Sequence, residues 1–214
     1  MDGLKGLEIT SYASTPLITT ADAKAFLRVD GSAEDDLIDL FIDSVTRDIE
    51  NYLRRSLITQ TLKLTLDGFD RYAYDEGDFF GPGVHDAPYN AVFKNDFVYL
   101  ARPPAQAITS ITTYDKDNTG TAFAASNYTL DTVNGRVYLN EGSVWPSDLR
   151  AKNAVEIIYT AGYGDDAADV PSPIRRAAYN HLRKVYMERG ECDLSASTKA
   201  ELAPYRLEDY LGFA

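Results

Sequence analysis

Leu17–Gln60, LITTADAKAFLRVDGSAEDDLIDLFIDSVTRDIENYLRRSLITQ, is the stretch that decides how this chain folds. Thr19 or Thr20 can cap a short helix, because a hydroxyl accepts a bond from an unpaired N–H of the first turn. Asp22 then lies where negative charge suits the helix dipole. Gly31 reads as the stop of this helix, and Ser32 with Asp35 as the start of the next. Leu37, Phe41, Val45, Ile49 and Tyr52 recur every three or four residues, with Leu40 and Leu53 widening the stripe. That period predicts a long helix with one buried face. Glu34, Asp35 and Asp36 sit at its start and Arg54 and Arg55 at its end, both complementing the dipole. No catalytic pattern lies within the segment.

After Leu57 the period changes from helix to strand. Ile58 to Leu66 alternates, with Leu62, Leu64 and Leu66 on one face and Thr61, Lys63 and Thr65 on the other. From about 67 to 96 the alternation fails in a run rich in Gly, Asp and aromatic residues, which reads as a long excursion. Its aromatics, Phe79, Phe80, Tyr89 and Phe93 among them, are candidates for a partner-facing loop, since aromatic side chains dominate interface hot spots. Packing onto their own domain is the equal alternative. Short strands are expected at Phe97–Leu100, Ala107–Tyr114, Tyr128–Asp131, Arg136–Leu139 and Val155–Thr160. Asn134–Gly135 between two of them is a strong hairpin signal. Trp145–Pro146 is expected to plug the core rather than bind a ligand.

Helix returns at Ser172–Pro173, a good cap followed by a residue suited to the first turn. Ile174, Ala177, Ala178, His181, Leu182, Val185 and Tyr186 share a stripe, and Gly190 reads as the stop. His181 is expected to be a partly buried core residue. The chain end carries Leu202, Tyr205, Leu207, Tyr210, Leu211 and Phe213. So many apolar groups at a terminus imply that it is tied down, either on its own domain or as an arm on a neighbour, and the arm is the preferred reading. The fold class is therefore α+β: an N-terminal helical hairpin with a long amphipathic helix, a small, mostly antiparallel sheet, then a C-terminal helix and an extended tail. One domain is assigned to 1–192 and a tail or arm to 193–214.

Composition narrows the function classes. The chain has 214 residues and a formal net charge of −12, which opposes general binding to a phosphate backbone. It suits an acidic surface past which DNA slides. A single Cys192 excludes an internal disulfide framework and a cysteine-based zinc site, and His85 and His181 are far apart in sequence. No apolar run approaches a membrane span, and the start MDGLKGLEIT lacks a signal-peptide pattern. The acids Asp75, Glu76, Asp78, Asp86 and Asp96, and Asp165, Asp166 and Asp169, are paired with no pocket by the sequence. Gly81–Pro82–Gly83 lacks the Lys and Ser/Thr of a phosphate loop, and the Asp165–Asp169 run lacks calcium-loop spacing. No catalytic residue, metal site or cofactor is assigned, and the chain is not expected to be an enzyme.

Taken in order, PLITTADAKAFLRVD, the Glu34–Asp35–Asp36 helix start, SLITQTLKLTLDGF, LARPPAQAITSITTYD, YTLD, VEIIYTAGYG, VPSPIRRAAYNHLRKVYMERGE and the terminal APYR form a pattern covering most of the chain. It resembles the head–tail connector (adaptor) proteins of tailed bacteriophages and gene-transfer agents. The excursion before Asp96 and the LEDYLGFA extension depart from that pattern. The resemblance implies a structural protein of the virion, assembled in the host bacterial cytoplasm and seated at the head–tail junction. It implies a ring of about twelve copies under the portal protein, closed by a heterologous interface. The ring would extend the channel through which DNA passes without sequence-specific binding, and would dock a stopper or tail-side connector. The chain end would reach the portal, a role that falls on Ala203, Pro204, Tyr205 and Arg206 with the neighbouring Leu202, Leu207, Tyr210, Leu211 and Phe213. A stopper or tail-terminator protein of the same kind of particle is the nearest alternative. A carbohydrate- or protein-binding module using the aromatic loop is a further one.

Overall fold

A computed structural model of the chain describes residues 6–69, 97–189 and 193–207. The aromatic excursion, apart from its first three residues, and the chain end after Leu207 lie outside the described residues. The elements, in chain order, are β1 (Leu7–Ser11), α1 (Thr20–Leu27), α2 (Asp35–Leu53), β2 (Gln60–Leu66), β3 (Phe97–Tyr99), β4 (Ala105–Tyr114), β5 (Gly120–Ala122), β6 (Tyr128–Asp131), β7 (Arg136–Leu139), β8 (Val155–Ala161), α3 (Ser172–Glu188) and α4 (Ala196–Leu202). The α+β reading holds.

The first helical pair forms much as its sequence directs. Thr19 caps α1, its hydroxyl accepting from the Asp22 N–H at 3.1 Å. The helix stops at Leu27 rather than running to Gly31, because Arg28 adopts the left-handed conformation (φ 59°) and its N–H returns to the Lys24 carbonyl. Arg54 closes α2 and Arg189 closes α3 in the same way, with φ of 56° and 47°. Three helices thus end on an arginine in a backbone region that glycine enters without strain.

On α2 the stripe is displaced from the expected one. Ile38, Ile42, Val45, Ile49 and Leu53 are buried, whereas Leu37, Phe41 and Tyr52 are half-buried and Leu40 is 63% exposed. Apolar residues on both sides of the first two turns left the phase ambiguous, and the β-branched set faces the core. Ile42→Ala should therefore cost about 2–4 kcal/mol of unfolding free energy. Phe41 meets the edge of Tyr186 (centroids 6.5 Å apart) and keeps part of its surface in water, so Phe41→Ala should cost less. Urea midpoints for the two variants check the order, and a larger loss at Phe41 would restore the original phase.

The strands form two antiparallel sheets rather than one. Five strands lie in the order β1-β2-β8-β4-β5 and three in the order β3-β7-β6. The alternation read in β2 is correct: Leu62, Leu64 and Leu66 are buried and pair with Tyr159, Ile157 and Val155 of β8. The hairpin at Asn134–Gly135 joins β6 and β7 as expected. Val98 of β3 and Val137 of β7 share a core with the larger sheet, so the small sheet packs on it. Trp145 stacks on Phe69 at 4.1 Å and covers this core, as its sequence context suggested. Tyr159 is fully buried and donates its hydroxyl to the Ala101 carbonyl at 2.6 Å, and burial pushes its pKa up.

A separate core lies among the helices. The buried stripe of α2 meets Ile174, Ala177, Ala178, Leu182 and Val185 of α3, with Leu17, Ile18 and Ala23 closing one side. His181 belongs to this core. It is 1% exposed, with Nε2 3.2 Å from an Asp48 carboxylate oxygen. At the far end of the same seam Glu34 accepts from Tyr186 and from Arg189 at 2.8 Å, and Arg189 beside it holds its carboxyl below the usual range.

Candidate assembly surface

The two cores meet where the chain leaves α2. Leu57 and Ile58 belong to the helical core, and Leu62 to the sheet core. Opposite them runs Ala161–Gly162–Tyr163–Gly164. Tyr163 N–H donates to the Leu57 carbonyl at 2.9 Å, Thr59 N–H to Gly164, and Gly162 N–H to Pro104. Gln106 adds a side-chain bond to the Gly162 carbonyl at 2.9 Å. Gly162 has a φ of 148°, and a Cβ there would lie 2.5 Å from Thr59 N and 2.6 Å from the Ile58 carbonyl carbon. Only glycine allows the two backbones this close.

Under the same junction sits a buried polar group that the sequence reading passed over. Glu50 is 6% exposed and accepts from the Leu57 N–H at 2.9 Å and from Gln60 at 3.1 Å, with the Arg102 guanidinium 3.6 Å away. Gln60 also donates to Ser56 at 2.8 Å. The available signal was a glutamate beside Ile49 on the buried side of an amphipathic helix. Burial raises the Glu50 pKa, against the opposing pull of the Leu57 N–H and Arg102. A carboxyl whose folded pKa is raised binds its proton more tightly when folded. Its contribution is therefore most favourable below the ordinary value near 4.5, and is lost as pH rises through the raised folded value. Glu50→Gln should flatten that part of the fall in stability with pH, read as the difference in urea midpoint between about pH 5 and about pH 7. Equal slopes in both proteins would refute the assignment.

The C-terminal segment is anchored over the helical core. Ser195 caps α4, accepting from the Thr198 N–H at 3.1 Å. Leu202 is fully buried, and Leu194 and Thr198 are nearly so. Tyr52 donates to the Lys199 carbonyl at 3.1 Å, Arg55 to the Tyr205 carbonyl at 2.6 Å, and the Leu207 N–H to the Leu53 carbonyl at 3.0 Å. Arg206 lies over the Tyr52 ring at 5.2 Å. The group expected to act together is thus divided by the fold. Leu202 faces the core, Tyr205 and Leu207 are half-buried, and Ala203, Pro204 and Arg206 are exposed. Tyr210, Leu211 and Phe213 lie outside the described residues, as do Phe79, Phe80, Tyr89 and Phe93. Arg55, read from sequence only as a dipole partner, is an anchor of this segment.

A cleft of about 240 Å³ separates the Tyr12–Leu17 segment from α2, with Asp43, Arg47, Glu50 and Gln60 on its wall. Its Glu50 Oε1 is already committed to Leu57 and Gln60 while Oε2 lies 3.6 Å from the Arg102 guanidinium, and Arg47 stacks over Tyr12 at 4.5 Å. Among the described residues no group of three His, Cys, Asp or Glu side chains is placed to hold a metal ion, and no helix is long and apolar enough to cross a membrane.

Comparison with known proteins agrees with this architecture. Residues 18–78 match the family described as Phage gp6-like head-tail connector protein, which covers the helical pair and β2. The fold as a whole is similar to solved neck proteins of gene transfer agent (GTA) particles. One, from the neck of an empty GTA particle computed with C6 symmetry, superposes with a TM-score of 0.72 at 19% identity over 94% of this chain and 95% of that one. Another, from the virion of a native GTA particle, gives 0.71 at 18% identity over 94% and 95%. A third, from the neck of a native GTA particle computed with C12 symmetry, gives 0.64 at 19% identity over 94% and 96%. No curated protein matches the sequence. The resemblance read from the sequence is thus supported twice, by the connector family over 18–78 and by the neck-protein fold along nearly the whole chain.

Proposed function

We propose that this chain is a structural head–tail connector of a tailed phage or phage-like particle. It forms a ring beneath the portal, extends the DNA channel and presents a face to the next connector or the tail. The observation that carries this reading is the shared fold over 94% of the chain with neck proteins, one of them solved with C12 symmetry. The match of residues 18–78 to a head–tail connector family supports the same role. The chain end is assigned to portal docking: Ala203, Pro204 and Arg206 are exposed on a segment fixed by Leu202, Tyr205 and Leu207, with Tyr210, Leu211 and Phe213 following. Phe79, Phe80, Tyr89 and Phe93 are assigned to a neighbouring surface in the neck.

The test is to mix the full chain with the portal ring encoded by the same genome and to measure the mass of the product. One chain per portal subunit in a discrete complex is the expected result. A folded chain that never associates with the portal overturns the adaptor role and favours a stopper or tail-terminator place in the particle.

A further inference from the structure

The outward sides of α2 and α3 carry opposite charge at the same spacing. On α2, Asp36, Leu40, Asp43 and Arg47 are exposed. On α3, Arg176, Asn180, Arg183 and Met187 are exposed. Each set advances by four, three and four residues, which draws one straight stripe along a helix. Both stripes lie opposite the buried faces by which the two helices pack together, so they look away from each other. Helix α2 holds six acidic residues and one arginine, whereas α3 holds four basic residues and one acid. In a chain of net charge −12 the α3 stripe is a local reversal. Asp36, Asp43 and Arg183 have no hydrogen-bond or ion-pair partner among the described residues. Leu40 is 63% exposed and Met187 73%.

We propose that the α2 stripe of one copy docks on the α3 stripe of the next, setting Asp36 and Asp43 against Arg176 and Arg183. Leu40 and Met187 add apolar area to the contact. The inference rests on the ring reading above and names the surfaces that close it. Two different, complementary faces on one molecule make a heterologous contact, the kind that generates rings. A second copy is the occupant the charges select. Two copies of so acidic a chain repel at long range, and a matched basic stripe removes that repulsion in one orientation only. Arg176 already contacts Glu201 at 2.6 Å, so it is shared between its own α4 and the neighbour.

Charge exchange tests this directly. One variant carries Asp36→Arg with Asp43→Arg, and a second carries Arg176→Glu with Arg183→Glu. Arg183→Glu alone guards against loss of the Arg176–Glu201 pair, and thermal melting confirms that each is folded. Oligomer mass is measured for the full chain, alone and with its portal ring. Each variant by itself should need at least about tenfold higher concentration to assemble than the natural sequence. An equimolar mixture should recover assembly, because each basic α2 then meets an acidic α3 and the reverse. Folded variants that assemble as well as the natural sequence overturn this interface and leave the ring reading standing. A natural chain that stays monomeric both alone and with the portal overturns both. Unchanged assembly, with binding to a short DNA duplex lost in the α3 variant, overturns the interface and reassigns the basic stripe to nucleic acid.

Discussion

Gly162→Ala should lower the unfolding free energy by roughly 3 kcal/mol or more. A Cβ at this position would press against Thr59 N at 2.5 Å and the Ile58 carbonyl carbon at 2.6 Å. Neither is the end of a flexible side chain that could swing aside. The backbone φ of 148° adds strain for any L side chain. Relief requires the two strands of the junction to part, which would weaken the bonds from Tyr163 to Leu57, from Thr59 to Gly164 and from Gln106 to Gly162. Gly68→Ala is the control, since a Cβ there meets nothing within 4 Å and its φ is not positive. Denaturant unfolding of both variants decides the matter. A loss below about 1 kcal/mol at Gly162 would mean that the junction yields freely and the close approach is not required.

Truncation of the chain end should divide sharply at Leu207. A chain ending at Leu207 keeps the bonds from Tyr52 to Lys199, from Arg55 to Tyr205 and from Leu207 to Leu53. It should melt close to the full-length protein while losing portal association, because Tyr210, Leu211 and Phe213 are gone. A chain ending at Cys192 loses Leu194, Thr198 and Leu202 from the helical core and should melt far lower, or without a cooperative transition. Leu202→Ala isolates the packing term. The side chain is fully buried, so the expected cost is about 2–5 kcal/mol. Differential scanning calorimetry of the three proteins reads the result. Equal melting of the two truncations would show that α4 contributes nothing to the core, and full portal binding by the Leu207 truncation would move the docking role to Ala203–Arg206 alone.

Much of this architecture is legible in the sequence because its signals are local. Thr19 caps α1 by bonding three residues ahead. Alternation alone places Leu62, Leu64 and Leu66 inward, and Asn134–Gly135 makes a hairpin with its nearest neighbours. What stayed hidden depends on distant partners. β1 is a short edge strand whose pairing, Leu7 with Leu64 and Ile9 with Leu62, spans more than fifty residues. The division into two sheets follows from β4 choosing β8 rather than β3, a choice that no local pattern encodes. The phase of α2 was ambiguous because Leu37, Leu40 and Phe41 surround Ile38, and only the packing of α3 selects the isoleucine face. The aromatic residues at the chain end announced that it was tied down, but not that Arg55 and Tyr52 hold its first half on the domain.

The three helix-ending arginines leave the chain a margin that it does not use. A non-glycine residue held in the left-handed region costs about 1 kcal/mol or more relative to glycine. At Arg189 the ion pair to Glu34 offsets part of that cost, and at any helix end a positive charge gains something from the dipole. Arg28 has no ion-pair partner among the described residues, so glycine there gives up little beyond the dipole. Thermal headroom is thus available on the α1–α2 turn, away from the anchored chain end and outside both charged stripes. The protein can be stabilised there first, while every surface assigned to assembly keeps its native residues.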